Sequence, residues 1–237
     1  GSRSYLARLT AGIEGRIRLG RGVRRVTRDE RGVGVIDGVG ETHRFDQVVL
    51  ACHADQALRL LEQPDVWEER LLGAFTYQPN RVLLHSDARL MPQRRRVWSS
   101  WNYLSGRDVS GERAVSVTYW MNRLQGLPDT RDYFVTLNPL SEPDPATVWG
   151  EYHYEHPVFG SRAMRAQPLL DRIQGRRRTW FCGAYGGYGF HEDGLRSGLA
   201  VGRAFGIAAP WESALPEMHG AGTPAPISSA SAVPGAL

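Results

Sequence analysis

Leu6, Leu9 and Ile13 recur at helical spacing and predict a short helix over residues 4–14. The next four residues, Arg16-Ile17-Arg18-Leu19, alternate polar and apolar as a strand does. Val23 to Val26, Val33 to Ile36 and Arg44 to Cys52 carry three further strand patterns, with Gly32, Gly38 and Gly40 marking turns between them. Val48-Val49-Leu50-Ala51 is apolar without a break, which predicts a strand buried on both faces. These segments together predict a small β-meander that feeds a buried parallel strand.

Residues 53–72 predict a helix through Leu58, Leu60, Leu61, Trp67 and Leu71. The pattern then changes. Phe75–Ser86, Arg96–Tyr103, Ala114–Asn122, Tyr133–Leu137 and Thr147–His153 have strand character, with Pro, Gly and Asp between them. Consecutive strands without helices predict an antiparallel sheet. Met164, Leu169, Leu170 and Ile173 predict a helix over 162–174. Thr179–Cys182 predicts a short strand, and Leu195–Phe205 a helix dotted with small residues. From about residue 209 the chain is Pro, Ala, Gly and Ser with few core formers, the composition of a disordered tail.

The chain has 237 residues, 41% hydrophobic and 23% charged, an ordinary globular balance that excludes a wholly disordered, collagen-like or coiled-coil chain. No apolar run approaches the roughly 20 residues of a membrane span. The opening Gly-Ser-Arg-Ser-Tyr-Leu lacks an initiator Met and a signal-peptide pattern, so a cytoplasmic piece of a longer protein is expected. All 29 basic residues are Arg, so no Lys can act as base, Schiff-base former or phosphate clamp. The net charge of +4 rises to +6 without Glu212 and Glu217 of the tail. Cys52 and Cys182 form no C-x-x-C pair and are expected as buried, reduced thiols. Residues 53–164 hold five of the seven tryptophans, which points to an aromatic core or a flat apolar ligand pocket.

The strand, glycine-rich loop and helix at 179–205 are the most informative segment. Glycines there allow close approach of backbone to a ligand, and the following helix offers unpaired N–H groups and a positive dipole end. A tight turn packed for structural reasons alone fits the same spacing.

Trp180-Phe181-Cys182-Gly183, followed by Gly189-Phe190-His191-Glu192-Asp193-Gly194-Leu195-Arg196-Ser197-Gly198, resembles the C-terminal FAD-binding signature of the flavin amine oxidase superfamily. Arg21-Gly22-Val23-Arg24-Arg25-Val26 resembles the strand whose valine backbone meets the adenine of FAD, and Asp46-Gln47-Val48-Val49-Leu50-Ala51 the strand that closes the nucleotide domain. Leu90-Met91-Pro92, Trp98–Tyr103, Thr118–Gln125, Thr136–Pro139 and Gly189–Gly194 are similar to bacterial predicted NAD/FAD-binding proteins linked with cyclopropane-fatty-acid synthases. The resemblance covers roughly residues 1–206.

The resemblance implies an α/β plus α+β chain. An incomplete Rossmann-like FAD domain (1–52 and 165–208) would be interrupted by a mainly antiparallel-sheet substrate domain (53–164), with a tail at 209–237. The family's opening G-x-G-x-x-G turn has no counterpart, because Gly20-x-Gly22 and Gly32-x-Gly34 lie between strands. The implied cofactor is FAD, held by Val23, Ala51, Gly183, Ala184, Gly189, Phe190, His191, Glu192 and Gly194. His191 is the candidate catalytic proton carrier, with a purely structural hydrogen-bonding role as its alternative. The family's frequent Lys near the flavin is missing, Phe190 stands where a Tyr is common, and Ala184-Tyr185 replaces an acidic residue. These departures favour hydride-transfer oxidation, desaturation or isomerisation of an apolar, lipid-like substrate over oxidation of a C–N bond. An inactive remnant that only binds is a further alternative.

His153 and His156 fall three apart on a strand, facing opposite ways, so no metal is expected. Arg94-Arg95-Arg96 and Arg176-Arg177-Arg178 precede strands as solvated edge charges. Peripheral contact with an anionic membrane is expected and nucleic acid is not.

Overall fold

The computed structural model describes residues 3–107, 111 and 113–211 of the protein. Helix α1 (Arg3–Thr10) forms but ends short of the expected residue 14, leaving Ile13 outside it, and Leu6, Leu9 and Ile13 stay about half exposed. The strand expected at Arg16–Leu19 does not form. A 3-10 turn at Glu14–Arg16 takes its place, closed by the Ile17 N–H on Glu14 O at 3.1 Å. Strands β1 (Val23–Asp29), β2 (Gly32–Asp37) and β3 (Thr42–Phe45) make the antiparallel meander.

The single strand expected over Arg44–Cys52 is two. β3 ends in the meander, and β4 (Val48–Leu50) belongs to a second sheet, where it pairs in parallel with a strand from the far end of the chain. β4 is not buried on both faces: Leu50 is buried, while Val49 is 42% exposed. The cause is topological, since β4 has one strand neighbour among the described residues.

The helix expected over 53–72 splits at Pro64, which lacks an N–H to continue the ladder, into α2 (Ala54–Leu60) and α3 (Val66–Leu72). Asp65 caps α3 by accepting the N–H groups of Trp67 and Glu68 at 2.8 and 3.0 Å. Glu68 is fully buried and ion-paired with Arg28 of β1, which ties α3 to the meander. Leu71, Leu72, Val26, Val33, Leu50, Phe75, Ile173 and Phe181 share the larger apolar core around these elements.

β5 (Thr76–His85), β6 (Trp101–Arg107), β7 (Arg113–Trp120), β8 (Phe134–Leu137) and β9 (Val148–Val158) form a five-stranded antiparallel sheet in the order β6-β7-β8-β5-β9. A short helix α4 (Met121–Gln125) follows β7 and ends at Gly126 in the left-handed region, φ 61. The strand expected from Arg96 starts at Trp101, because Arg95–Val97 form a 3-10 turn that seats Trp98 in a small core with Met91 and Phe134.

The helix expected over 162–174 is α5 (Ser161–Ala166) followed by a 3-10 helix Gln167–Ile173, with Pro168 at the change of type. Strand β10 (Thr179–Phe181) pairs with β4, and helix α6 (His191–Ala204) closes the described fold. The architecture is mixed α and β with antiparallel sheets. Residues 212–237 of the expected tail lie outside the described residues, whereas Ala209 is buried. Cys52 and Cys182 are free and half-buried rather than fully enclosed.

The sheet's two faces differ in an unusual way. Alternation puts Asn102, Ser116, Thr118, Thr136 and His85 on the covered face, all 5% exposed or less. Trp101, Tyr103, Val115, Tyr152 and Tyr154 stand on the opposite face, 41–74% exposed.

Candidate functional site

Phe181 of β10 lies beside Leu50 of β4, and the Cys182 N–H bonds Leu50 O at 3.2 Å. The chain then passes through Gly183, whose backbone is extended (φ 164). Glycine is needed there for space. A Cβ would sit 2.6 Å from the Tyr185 ring and 3.1 Å from the Cys52 carbonyl. A 3-10 turn, Ala184–Gly186, and left-handed Gly189 (φ 86) bring the chain to α6.

Three side chains hold this loop. Asp193 accepts the N–H groups of Tyr188 and Phe190, each at 3.0 Å, so α6 starts at His191 and not at Leu195 as periodicity predicts. A Cβ on Gly187 would meet that carboxylate at 2.3 Å. Gln167 donates to the carbonyls of Tyr185 and Gly187 at 3.0 and 2.5 Å. Ser197 Oγ accepts the Gly183 N–H at 2.9 Å and donates to Gly194 O at 2.8 Å. The Asp193 signal was present in the sequence, as an acid three residues after the helix N-cap. Gln167 left no local sign, because its contacts lie 18 and 20 residues away.

The backbone N–H groups of His191 and Glu192 donate to nothing among the described residues. Phe190 is 60% exposed beside them, and the His191 imidazole is exposed with no hydrogen bond among the described residues. Around Gly194 there is room: the nearest atom to a Cβ would be Ala184 N at 3.9 Å. An exposed ring, two free N–H donors and space over a glycine form a surface open to a flat, electron-rich ligand.

A cleft of about 320 Å³ adjoins this surface and brings together Ala51, Gly183, Ala184 and Gly189 with His53, Tyr77, Glu155 and His156. Of the predicted residues, Val23 stands apart. It opens β1 in the meander, opposite Asp37, and does not line the cleft. His53 and Tyr77 were not singled out by their sequence context. Their rings stack at 4.3 Å, and the Tyr77 hydroxyl accepts the Ala54 N–H at 2.9 Å. Burial pushes the Tyr77 phenol up to about 12, so it stays protonated at neutral pH. Burial also raises the Cys52 and Cys182 thiols, which makes them neutral and poorly nucleophilic. His53 Nδ1 and the Tyr185 hydroxyl are buried without a partner.

Asn80 donates to His156 Nδ1 at 3.0 Å. On β9, His156 follows Tyr154 and Tyr152 at every second residue, so all three share the exposed aromatic face. That face carries a cavity of about 730 Å³ over Tyr103, Val115, Val117 and Leu137. His153 sits opposite Arg81 and His156 opposite Gln78, three positions apart and therefore on opposite faces. Asp37, Glu41 and His43 do cluster, but Arg21 pairs with both carboxylates, at 3.0 and 3.2 Å, and Arg18 bonds His43.

The sequence model of the family described as flavin containing amine oxidoreductase matches residues 1–204. No curated protein matches the sequence. Among solved structures, the CLA-producing fatty acid isomerase from P. acnes is similar over 86% of this chain and 52% of its own, with a TM-score of 0.57 and 17% identity. Cyclohexylamine oxidase from Brevibacterium oxydans IH-35A is similar over 86% and 52%, with a TM-score of 0.56 and 13% identity. Reduced UDP-galactopyranose mutase is similar over 80% and 48%, with a TM-score of 0.54 and 12% identity. At these identities the likeness is one of fold. The chain spans about half the length of these structures.

Proposed function

The chain belongs to the flavin-containing amine oxidoreductase family, and from that premise we propose that it forms part of an FAD-dependent oxidoreductase acting on an apolar, lipid-like substrate. The observation that carries the substrate class is the exposed aromatic face of the five-stranded sheet. Tyr152, Tyr154 and His156 form one row on that face, and His156 also lines the cleft beside the glycine loop. An extended apolar chain laid along the row would reach the cleft with its aromatic contacts intact.

The residues present fit one edge of a flavin. The free N–H groups of His191 and Glu192 would hold its carbonyl edge, the room at Gly194 and Ala184 admits its close approach, and Phe190 offers a ring to pack on it. Bound flavin supplies hydride acceptance, and hydride return where the reaction is an isomerisation. The exposed His191 imidazole carries the accompanying proton. Ala51, Gly183 and Gly189 line the cleft with little side-chain bulk.

The test is the visible absorption spectrum of the protein purified with its complete reading frame. Stoichiometric flavin bands, bleached by an unsaturated or cyclopropane fatty acyl compound and unchanged by amines, are expected. A folded protein that stays colourless with added FAD overturns the cofactor; bleaching by amines alone overturns the substrate class.

A further inference from the structure

Four arginines of the two runs are engaged within the fold. Arg176 pairs with Asp65, Arg177 donates to Gln63 O at 2.6 Å, and Arg178 donates to the carbonyls of Glu30 and Asp46. Arg95 pairs with Asp132 at 2.8 Å. Three arginines scattered in sequence converge instead. Arg70 of α3 and Arg162 and Arg165 of α5 rim a groove of about 480 Å³ floored by Leu71, Ala166 and Leu169.

No Asp or Glu lines this groove, and none of the three guanidinium groups has an ion-pair partner among the described residues. Arg162 makes one long contact, 3.5 Å to Gly73 O. Arg70 lies 5.8 Å from the Trp67 ring centroid, and Arg172 lies over the same ring at 5.1 Å. Val66, the first residue of α3, is 75% exposed next to that indole. Three cations without counter-charge, an apolar floor and an adjoining Trp and Val match the phosphate, glycerol and upper acyl levels of a lipid surface.

We propose that this groove docks the protein on a bilayer containing anionic phospholipid, with Arg70, Arg162 and Arg165 binding headgroup phosphate oxygens. The groove shares no residue with the glycine loop or its cleft, so the proposal stands apart from the oxidoreductase assignment. A bilayer is favoured over RNA because the floor between the cations is aliphatic and the adjoining Trp67 ring already carries the Arg70 and Arg172 guanidinium groups.

The test is co-sedimentation of the full chain with phosphatidylcholine vesicles, with and without phosphatidylglycerol. Binding is expected to the mixed vesicles alone and to fade at high salt. Each arginine removed should weaken partitioning about fivefold, so Arg162→Gln/Arg165→Gln should lose about 25-fold. Arg95→Gln, outside the groove, should bind as the parent does. If the double variant does not fold, Arg70→Gln alone should still show the fivefold loss. Equal binding to neutral vesicles, equal loss in Arg95→Gln, or binding of RNA or of monomeric fatty carboxylate without binding of vesicles overturns the proposal.

Discussion

The two faces of the five-stranded sheet depart from a simple division into apolar inside and polar outside, since the covered face buries a polar cluster and the open one exposes a row of aromatic rings. On the covered face His85 donates to Thr136 Oγ1 at 2.7 Å, its Nδ1 accepts the Asp87 N–H at 3.1 Å, and Thr136 and Thr118 share a bond of 2.9 Å. Asn102 donates to Thr118 O, and Ser116 to Leu137 O. These groups tolerate burial because each finds a partner. Phe134, Trp98 and Met91 pack over part of the same face and add its apolar contribution. On the open face Tyr103, Trp101 and Tyr154 stay 52–74% exposed, and this is the surface on which the proposed function lays an apolar substrate. Burial alone does not say which face works: one face holds the fold, and the other is left available.

Four changes test that contrast. The largest effect is expected at Phe134, which is fully buried: Phe134→Ala should cost about 3–5 kcal/mol in urea unfolding. A loss no greater than that of a surface substitution would mean the small core carries no weight. Thr136→Val comes next. It removes the hydroxyl between His85 and Thr118 and strands their buried polar atoms, at a cost of about 1–3 kcal/mol. A neutral result would show the network to be incidental.

The third is a pH effect. Burial lowers the His85 pKa in the folded state below its ordinary value of 6.5. The unfolded chain therefore takes up a proton first as pH falls through about 6.5, and stability drops until the folded pKa is passed. Thermal melts from neutral pH downward should show this decline, and His85→Gln should flatten it; an unchanged slope would place the titration elsewhere. The smallest stability effect is expected on the open face. Tyr103→Ala, at a residue 74% exposed, should stay within about 0.5 kcal/mol of the parent while weakening uptake of the apolar substrate proposed above. A large loss of stability there would erase the distinction between the faces.

The alternation of Trp101–Tyr103 and Val115–Val117 was legible as strand, and the glycines of residues 183–189 as a loop between strand and helix, because both are short-range patterns. The meander was legible for the same reason. The flavin family was legible too, through the run from Trp180 to Gly198, and the family match over residues 1–204 agrees with it. The break of Arg44–Cys52 into β3 and β4 was not, since strand pattern continues across it while the hydrogen-bond partners change.

Period-two alternation separates two sets of side chains without saying which set will be covered. That depended on segment 88–98 folding back to put Trp98 against Phe134, 36 residues later. The cleft likewise required His53, Tyr77, His156 and Gly183 to meet, and the arginine-rimmed groove required Arg70 to meet Arg162 and Arg165. Local sequence sets the torsions and faces of each element. Partners tens of residues apart or more are chosen by chain topology and packing, which no short window of the sequence contains.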